Sequence, residues 1–191
     1  KFPETFFTAV RVPNNPIVGE RGQGGQVANA IVGHERDTLA PPNTAQTRIN
    51  ALVELMKTET AGGERLIDNP IYKDRLMKIQ GRVLAMKYND MRVLSSRLNP
   101  GQDASLSRMI TKLQGTELRH ELEGLAIDIM GEVGLSYDDN PHLRGAGSWQ
   151  REYMYYLGLI IGGGTSQIQK NIISERGLGM PREPKIEKKA V

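Results

Sequence analysis

The residues best placed to do chemistry lie in the stretch 162–182, GGGTSQIQKNIISERGLGMPR. Gly162, Gly163 and Gly164 lack Cβ atoms and tolerate positive φ, so the backbone there can come close to a ligand. Thr165 and Gln167 add side-chain donors at the same point, and a basic helix follows, closed by Gly177, Gly179 and Pro181. A helix start offers unpaired N–H groups and the positive end of a dipole, which suits a phosphate or pyrophosphate. By the residues alone this is a turn fit for an anionic ligand, and equally a plain glycine loop. A second position is Glu35, flanked by His34 and Arg36, which by its residues alone reads as a solvated helix glutamate. A third is the Glu117-x-x-His120 pair, the unit that ferritin-like bundles use twice to hold two metals. No second copy exists, because neither His34 nor His142 has a glutamate three residues before it. A di-metal centre is therefore discarded.

These groups need a scaffold, and the hydrophobic pattern supplies helices. Apolar residues recur at helical spacing from about residue 26 to 60 (Val27, Ile31, Ile49, Leu52, Val53, Leu55, Met56), with Pro41-Pro42 inside the span. Adjacent prolines remove donors and clash with the preceding turn, so the pattern is either one kinked helix or two, with the kink preferred. Asn69-Pro70 is a helix start, and a second helix runs from about Pro70 to Leu98, ended by Asn99-Pro100-Gly101. A third begins at Asp103 or Ser105. Leu106, Ile110, Leu113, Leu118, Leu122, Leu125, Ile127 and Ile129 make its inner face, and it stops at Gly131–Gly134. Shorter helices are expected over 149–159 and 165–176. Ahead of them, Phe6–Val12 is rich in aromatic and β-branched residues and reads as a strand closed by a turn at Pro13–Pro16. The fold class is all-α: an up-down four-helix bundle plus short terminal helices, preceded by a remnant β-strand.

The composition limits the function. The chain has 191 residues, 38% hydrophobic and 25% charged, with a formal net charge of +3, which fits one well-packed soluble domain. Lys and Arg are spread among acids, so no nucleic-acid partner is expected. The basic end (Lys185, Lys188, Lys189) reads as a flexible tail. The chain has no cysteine, which excludes thiol chemistry and disulfides. Its apolar runs are too short for a membrane span. The cytoplasm is the expected compartment.

Gly-Thr-Ser-Gln-Ile-Gln, a basic helix and then Glu-Arg-Gly-Leu-Gly-Met-Pro-Arg resemble the end of the C-terminal helical domain of acyl-CoA dehydrogenases. Phe6–Pro13, Ile17-Val18-Gly19-Glu20 and the run Gly22, Gly24, Gly25 resemble that family's passage from its middle β domain into the first long helix. Gly33-His34-Glu35-Arg36 falls on that helix at the family's expected place. The resemblance implies that 1–22 are the end of a β domain and a linker, 23–182 the C-terminal bundle, and 183–191 a flexible tail. The whole would be a C-terminal piece of about half such an enzyme.

The resemblance also implies function. The intact enzyme would use FAD to oxidise an acyl-CoA to the 2,3-enoyl-CoA, hand electrons to an electron-transfer flavoprotein, and form a homo-oligomer, a dimer or a tetramer. In much of the family the base is a glutamate immediately before Gly-Thr-Ser. Gly163 stands there and has no side chain. Some members carry the base on the first long helix, where Glu35 stands, so Glu35 is the catalytic residue implied and Arg36 a substrate-binding one. Gly164, Thr165, Gln167 and Gly131 are the cofactor-binding residues implied. Two departures weaken the flavin contacts. Asp128 and Glu132 interrupt a family segment that touches flavin from the partner subunit, and their charge would repel a pyrophosphate. Glu59, Gly62 and Pro70 replace an arginine, a phenylalanine and a glutamine that grip the adenine end, leaving Arg65 as a substitute. Flavin monooxygenases and nitroalkane oxidases share the fold, the latter disfavoured by Gly163. A non-catalytic oligomerisation subunit is the alternative from another class.

Overall fold

The computed structural model describes residues 4–11, 13, 17–38, 42–99, 101–137 and 140–184, without the side chains of 33–42. The chain divides into two compact units, Lys1–His34 and Glu35–Val191. Helix α1 (Gly24–Thr38) begins in the first, and Gln23 just before it donates from its backbone to Glu20 O at 3.1 Å. The strand expected over 6–12 is absent from its described part: residues 4–11 have no strand partner and Phe6 and Phe7 are exposed. A strand satisfies its N–H and C=O groups only through a neighbour, and none pairs with this segment among the described residues. The basic tail residues Lys185, Lys188 and Lys189 lie outside those residues.

The second unit is a helical bundle. Helix α2 (Pro42–Thr58) takes Pro42 as its first residue, where a missing N–H costs nothing. Residues 39–41, at the expected kink, are outside the described residues. After α2 the chain forms a two-residue hairpin, β1 (Thr60–Ala61) with β2 (Glu64–Arg65). Its turn is Gly62-Gly63, with φ of +60° and +86°, the left-handed pair that a tight hairpin requires. Helix α3 (Pro70–Leu98) starts as the sequence predicts: the Asn69 side chain accepts from the N–H groups of Ile71 and Tyr72. Helix α4 (Ser105–Met130) follows, and one 3₁₀ turn (Gly131–Leu135) ends it. A second 3₁₀ turn (Arg144–Gly147) leads into α5 (Ser148–Ile161). The chain closes with α6 (Ser166–Ile172) and a π turn (Ile173–Gly177).

Helix α4 is the central element, packed against α2, α3, α5 and α6. Its surroundings explain why its burial departs from a single inner face. One stripe is apolar (Leu118, Leu122, Leu125, Ile129) and joins Ile49, Leu52, Met56, Leu76, Ile79 and Val83 in the core. A second stripe is polar and equally buried: Lys112, Thr116, Arg119, Glu123. Leu106, expected inward, is exposed at the start of the helix, and Ile110 and Ile127 are half-buried.

Candidate functional site

The glycine turn after α5 is held from inside the bundle. Gly163 and Gly164 adopt φ of +64° and +97°, a region that side-chain-bearing residues rarely enter. The buried Gln169 donates its Nε2 to Gly163 O at 2.9 Å. Lys112, only 1% exposed, donates its Nζ to Gly164 O at 2.6 Å and to Ile160 O at 3.1 Å. A Cβ on Gly164 would stand 2.6 Å from Gln169 Nε2, so a side chain here is strained by its φ and would also displace the Gln169 amide. Thr165 is the N-cap of α6, its hydroxyl oxygen accepting from Ile168 N–H at 3.3 Å. Gln167 is exposed. Ser166 is buried and its Oγ has no hydrogen-bond partner. Gly164, Thr165 and Gln167 thus sit together, next to an unsatisfied hydroxyl and first-turn amides that lack intrahelical acceptors. That donor set fits an anionic or carbonyl-rich group.

Gly131 stands elsewhere. It closes α4 at φ +56°, with open space around its Cβ direction. Lys112 marks the glycine turn on α4, and nineteen residues of helix separate it from Gly131, roughly 28 Å at 1.5 Å per residue. One chain therefore does not close both segments on a single phosphate. Gly134 has a packing reason: a Cβ there would strike Ile127 O. Asp128 forms an ion pair with Arg75 at 2.7 Å, so its charge is offset within the chain. Glu59 is bound by Arg144 at 2.5 Å and 3.2 Å, a pairing that the sequence reading missed. Arg65, the expected substitute, pairs with Asp68. The arginines of these segments, Arg75, Arg144 and Arg65, are thus engaged by acids of the chain itself.

Glu35 and Arg36 belong to α1 by their backbone, and their side chains lie outside the described residues. Among the described residues no group of three or more metal-capable side chains occurs, around Glu117 and His120 or elsewhere. His120 stacks on Tyr153 at 4.1 Å, its Nδ1 3.2 Å from Tyr153 O. Both line a cavity of about 560 Å3 with Arg75, Glu121 and Asp128.

A buried ionic cluster was missed altogether. Glu123 is fully buried and receives Arg48 through Nε (2.9 Å) and Nη2 (2.5 Å), and Arg119 Nη2 at 3.0 Å. Arg119 also reaches Thr44 Oγ1 at 3.0 Å and Glu152 at 3.4 Å. Arg48 lies 3.6 Å over the Trp149 ring and Arg119 4.4 Å over that of Tyr156. Burial, first of all, pushes the Tyr156 hydroxyl above its usual value; Arg119 opposes this and Glu152 reinforces it. The available signal was an Arg and a Glu four residues apart on a helix among leucines.

Comparison with known proteins decides the family. The model of the acyl-CoA dehydrogenase C-terminal domain matches residues 22–178. The chain belongs to this family. It is 32% identical over 189 residues to acyl-CoA dehydrogenase IpdE1 of Mycobacterium tuberculosis, covering 97% of this chain and 46% of that protein. It is 30% identical to acyl-CoA dehydrogenase FadE26 of the same organism, covering 93% and 45%. The crystal structure of the ChsE4-ChsE5 complex from Mycobacterium tuberculosis matches at a TM-score of 0.78 and 28% identity, over 93% of this chain and 46% of that one. The chain therefore spans about half the length of the relatives that it matches. No helix among the described residues is long and apolar enough to cross a membrane.

Proposed function

We propose that the intact protein is a FAD-dependent acyl-CoA dehydrogenase of the cytoplasm. The observation that carries the reading is the exchange of positions in a domain of this family. Gly163, at the place of the usual glutamate, has φ +64° and no side chain, while Glu35 stands on α1. Glu35 takes the α-proton of the acyl thioester as its Cα–H bond breaks, and Arg36 steadies the substrate. FAD, when bound, supplies the acceptor for the β-hydride whose departure completes the 2,3-double bond. Gly164, Thr165 and Gln167 hold the cofactor through amides and side-chain donors. Ser166 Oγ, buried and unpartnered, supports a ligand at this turn. The electron-transfer flavoprotein takes the electrons onward, and the active form is a homo-oligomer, dimer or tetramer. The test is anaerobic mixing of the purified intact protein with acyl-CoA: bleaching of the flavin band is expected, and a protein that purifies without flavin refutes the reading.

A second reading has its own observation. Two segments that by resemblance would touch a flavin across the subunit interface each have an acid engaged internally, Asp128 by Arg75 and Glu59 by Arg144. That favours a subunit serving assembly more than cofactor binding at this face. Flavin content per protomer separates the two: one per protomer supports the first reading, none the second.

A further inference from the structure

We propose that Lys112, seconded by Gln169, is a positioning residue that turns the peptides of the glycine loop so that their N–H groups face the ligand. This rests on the assignment of the Gly164–Gln167 turn to the cofactor. Each trans peptide is planar, and its C=O and N–H point in opposite directions. The Lys112 ammonium holds Gly164 O at 2.6 Å, so the Thr165 N–H points away from Lys112. Gln169 Nε2 holds Gly163 O at 2.9 Å, so the Gly164 N–H points away from the Gln169 amide. Both anchoring side chains are 1% exposed, so the carbonyls face the bundle interior and the two successive amides face out of it. The consecutive positive φ values of Gly163 and Gly164 are the backbone expression of that arrangement.

A cation is the right donor for this task. It brings several N–H directions to one point and accepts nothing, so one lysine satisfies both Gly164 O and Ile160 O, the latter in the last turn of α5. Its charge at the carbonyl end polarises the Gly164–Thr165 peptide, which strengthens the opposite N–H as a donor in a low-dielectric surrounding. Lys112 thus joins the packing of α4 to the donor geometry of a loop more than forty residues away in sequence.

The experiment uses the full-length flavoprotein and three variants: Lys112→Met, which keeps the length of the side chain without its charge, Gln169→Met, and Leu118→Ala as a core control outside the loop. FAD affinity, melting temperature of the apoprotein and the crystal structure of Lys112→Met are measured. Loss of a charged hydrogen bond predicts FAD affinity at least about tenfold weaker in Lys112→Met, with Gly164 O rotated out of the interior, and unchanged FAD affinity in Leu118→Ala. If Lys112→Met melts lower yet binds FAD as the wild type does, Lys112 only caps α5 and the proposal is overturned. A Gly164 carbonyl that stays inward overturns it whatever the affinity. Should Lys112→Met not fold, Gln169→Met must weaken FAD binding severalfold, and unchanged binding refutes the proposal. If the wild-type protein takes up no FAD, the assignment of the turn falls instead, and the rotation of Gly164 O alone decides the role of Lys112.

Discussion

Glu123→Gln should destabilise this chain out of proportion to its size. The substitution keeps the shape and leaves no cavity, but it removes the buried negative charge that Arg48 and Arg119 share. Glu123 is 0% exposed at its side chain and Arg119 5%, so neither charge is relieved by water. Arg48, 19% exposed and stacked on Trp149, keeps part of its surroundings. Arg119 does not: its remaining anion, Glu152, is 3.4 Å away and its Nε has no partner. Breaking a buried pair from one side costs about 3–5 kcal/mol, or about 6–20 °C in melting temperature for a chain of this size. Replacing Glu123→Leu together with Arg119→Leu should cost less than the single change, because the most deeply buried cation leaves with its anion, while Arg48, 19% exposed and stacked on Trp149, stays partly in water. Urea unfolding of the three proteins measures this. A loss below about 1 kcal/mol in Glu123→Gln, or a double variant less stable than the single one, refutes the account of Glu123 as the keystone of the cluster. Moderate salt should leave the difference unchanged, since buried pairs are screened little.

Glu35→Gln in the intact enzyme should slow flavin reduction by acyl-CoA by about 10²–10⁴-fold, with FAD retained; stopped-flow absorbance reads it. Adding Gly163→Glu should restore activity only in part, because a side chain at φ +64° costs about 1–2 kcal/mol. Gly164→Ala should lower stability by about 1–3 kcal/mol, since φ is +97° and the new Cβ meets Gln169 Nε2; thermal melts check this. Because burial raises Tyr156, the folded state favours the neutral hydroxyl: stability is intact below about pH 10 and falls as the pH rises through the folded value. In Tyr156→Phe that alkaline loss should shrink. Light scattering of this chain at micromolar concentration should show an oligomer, as Met77, Leu84, Tyr88, Met91 and Leu98 form an exposed apolar stripe on α3; a monodisperse monomer contradicts it.

The helices were legible where local signals agree with packing. Asn69-Pro70 starts α3 because a cap and a proline act within one turn, and no distant contact is needed to read them. The glycine turn was legible by composition, and the family resemblance located it. Burial was legible only for apolar residues. Leucine periodicity on α4 points to one core face, yet α4 is surrounded and buries Lys112, Arg119 and Glu123 as well. Their partners, Gly164, Thr44 and Arg48, are distant in sequence, and no local rule pairs them. The strand expected over 6–12 shows the same limit from the other side, since β propensity describes a fit to a neighbour rather than a property of the segment. Asp128 was read as a charge hostile to a cofactor and Glu59 as standing in place of a cofactor-gripping arginine, and each has found an arginine within the chain.

The polar stripe of α4 has a consequence for how this sequence selects one fold. Apolar side chains pack with little angular preference, so a helix made only of leucine on its buried surface could turn about its axis at small cost. Lys112, Thr116, Arg119 and Glu123 recur at spacings of four, three and four, and Lys112, Arg119 and Glu123 each bond a group outside α4. Lys112 binds the turn after α5, Thr116 the α4 backbone, Arg119 binds α2 and α5, and Glu123 the α2 arginine. A turn of one residue position, 100°, would strand three ionic groups at once, each with a desolvation cost of about 1–3 kcal/mol or more. The hydrophobic stripe supplies the drive to pack α4, and the polar stripe chooses its rotation. The same choice places the Lys112 ammonium at Gly164 O, so the geometry of the candidate site follows from the register of the core.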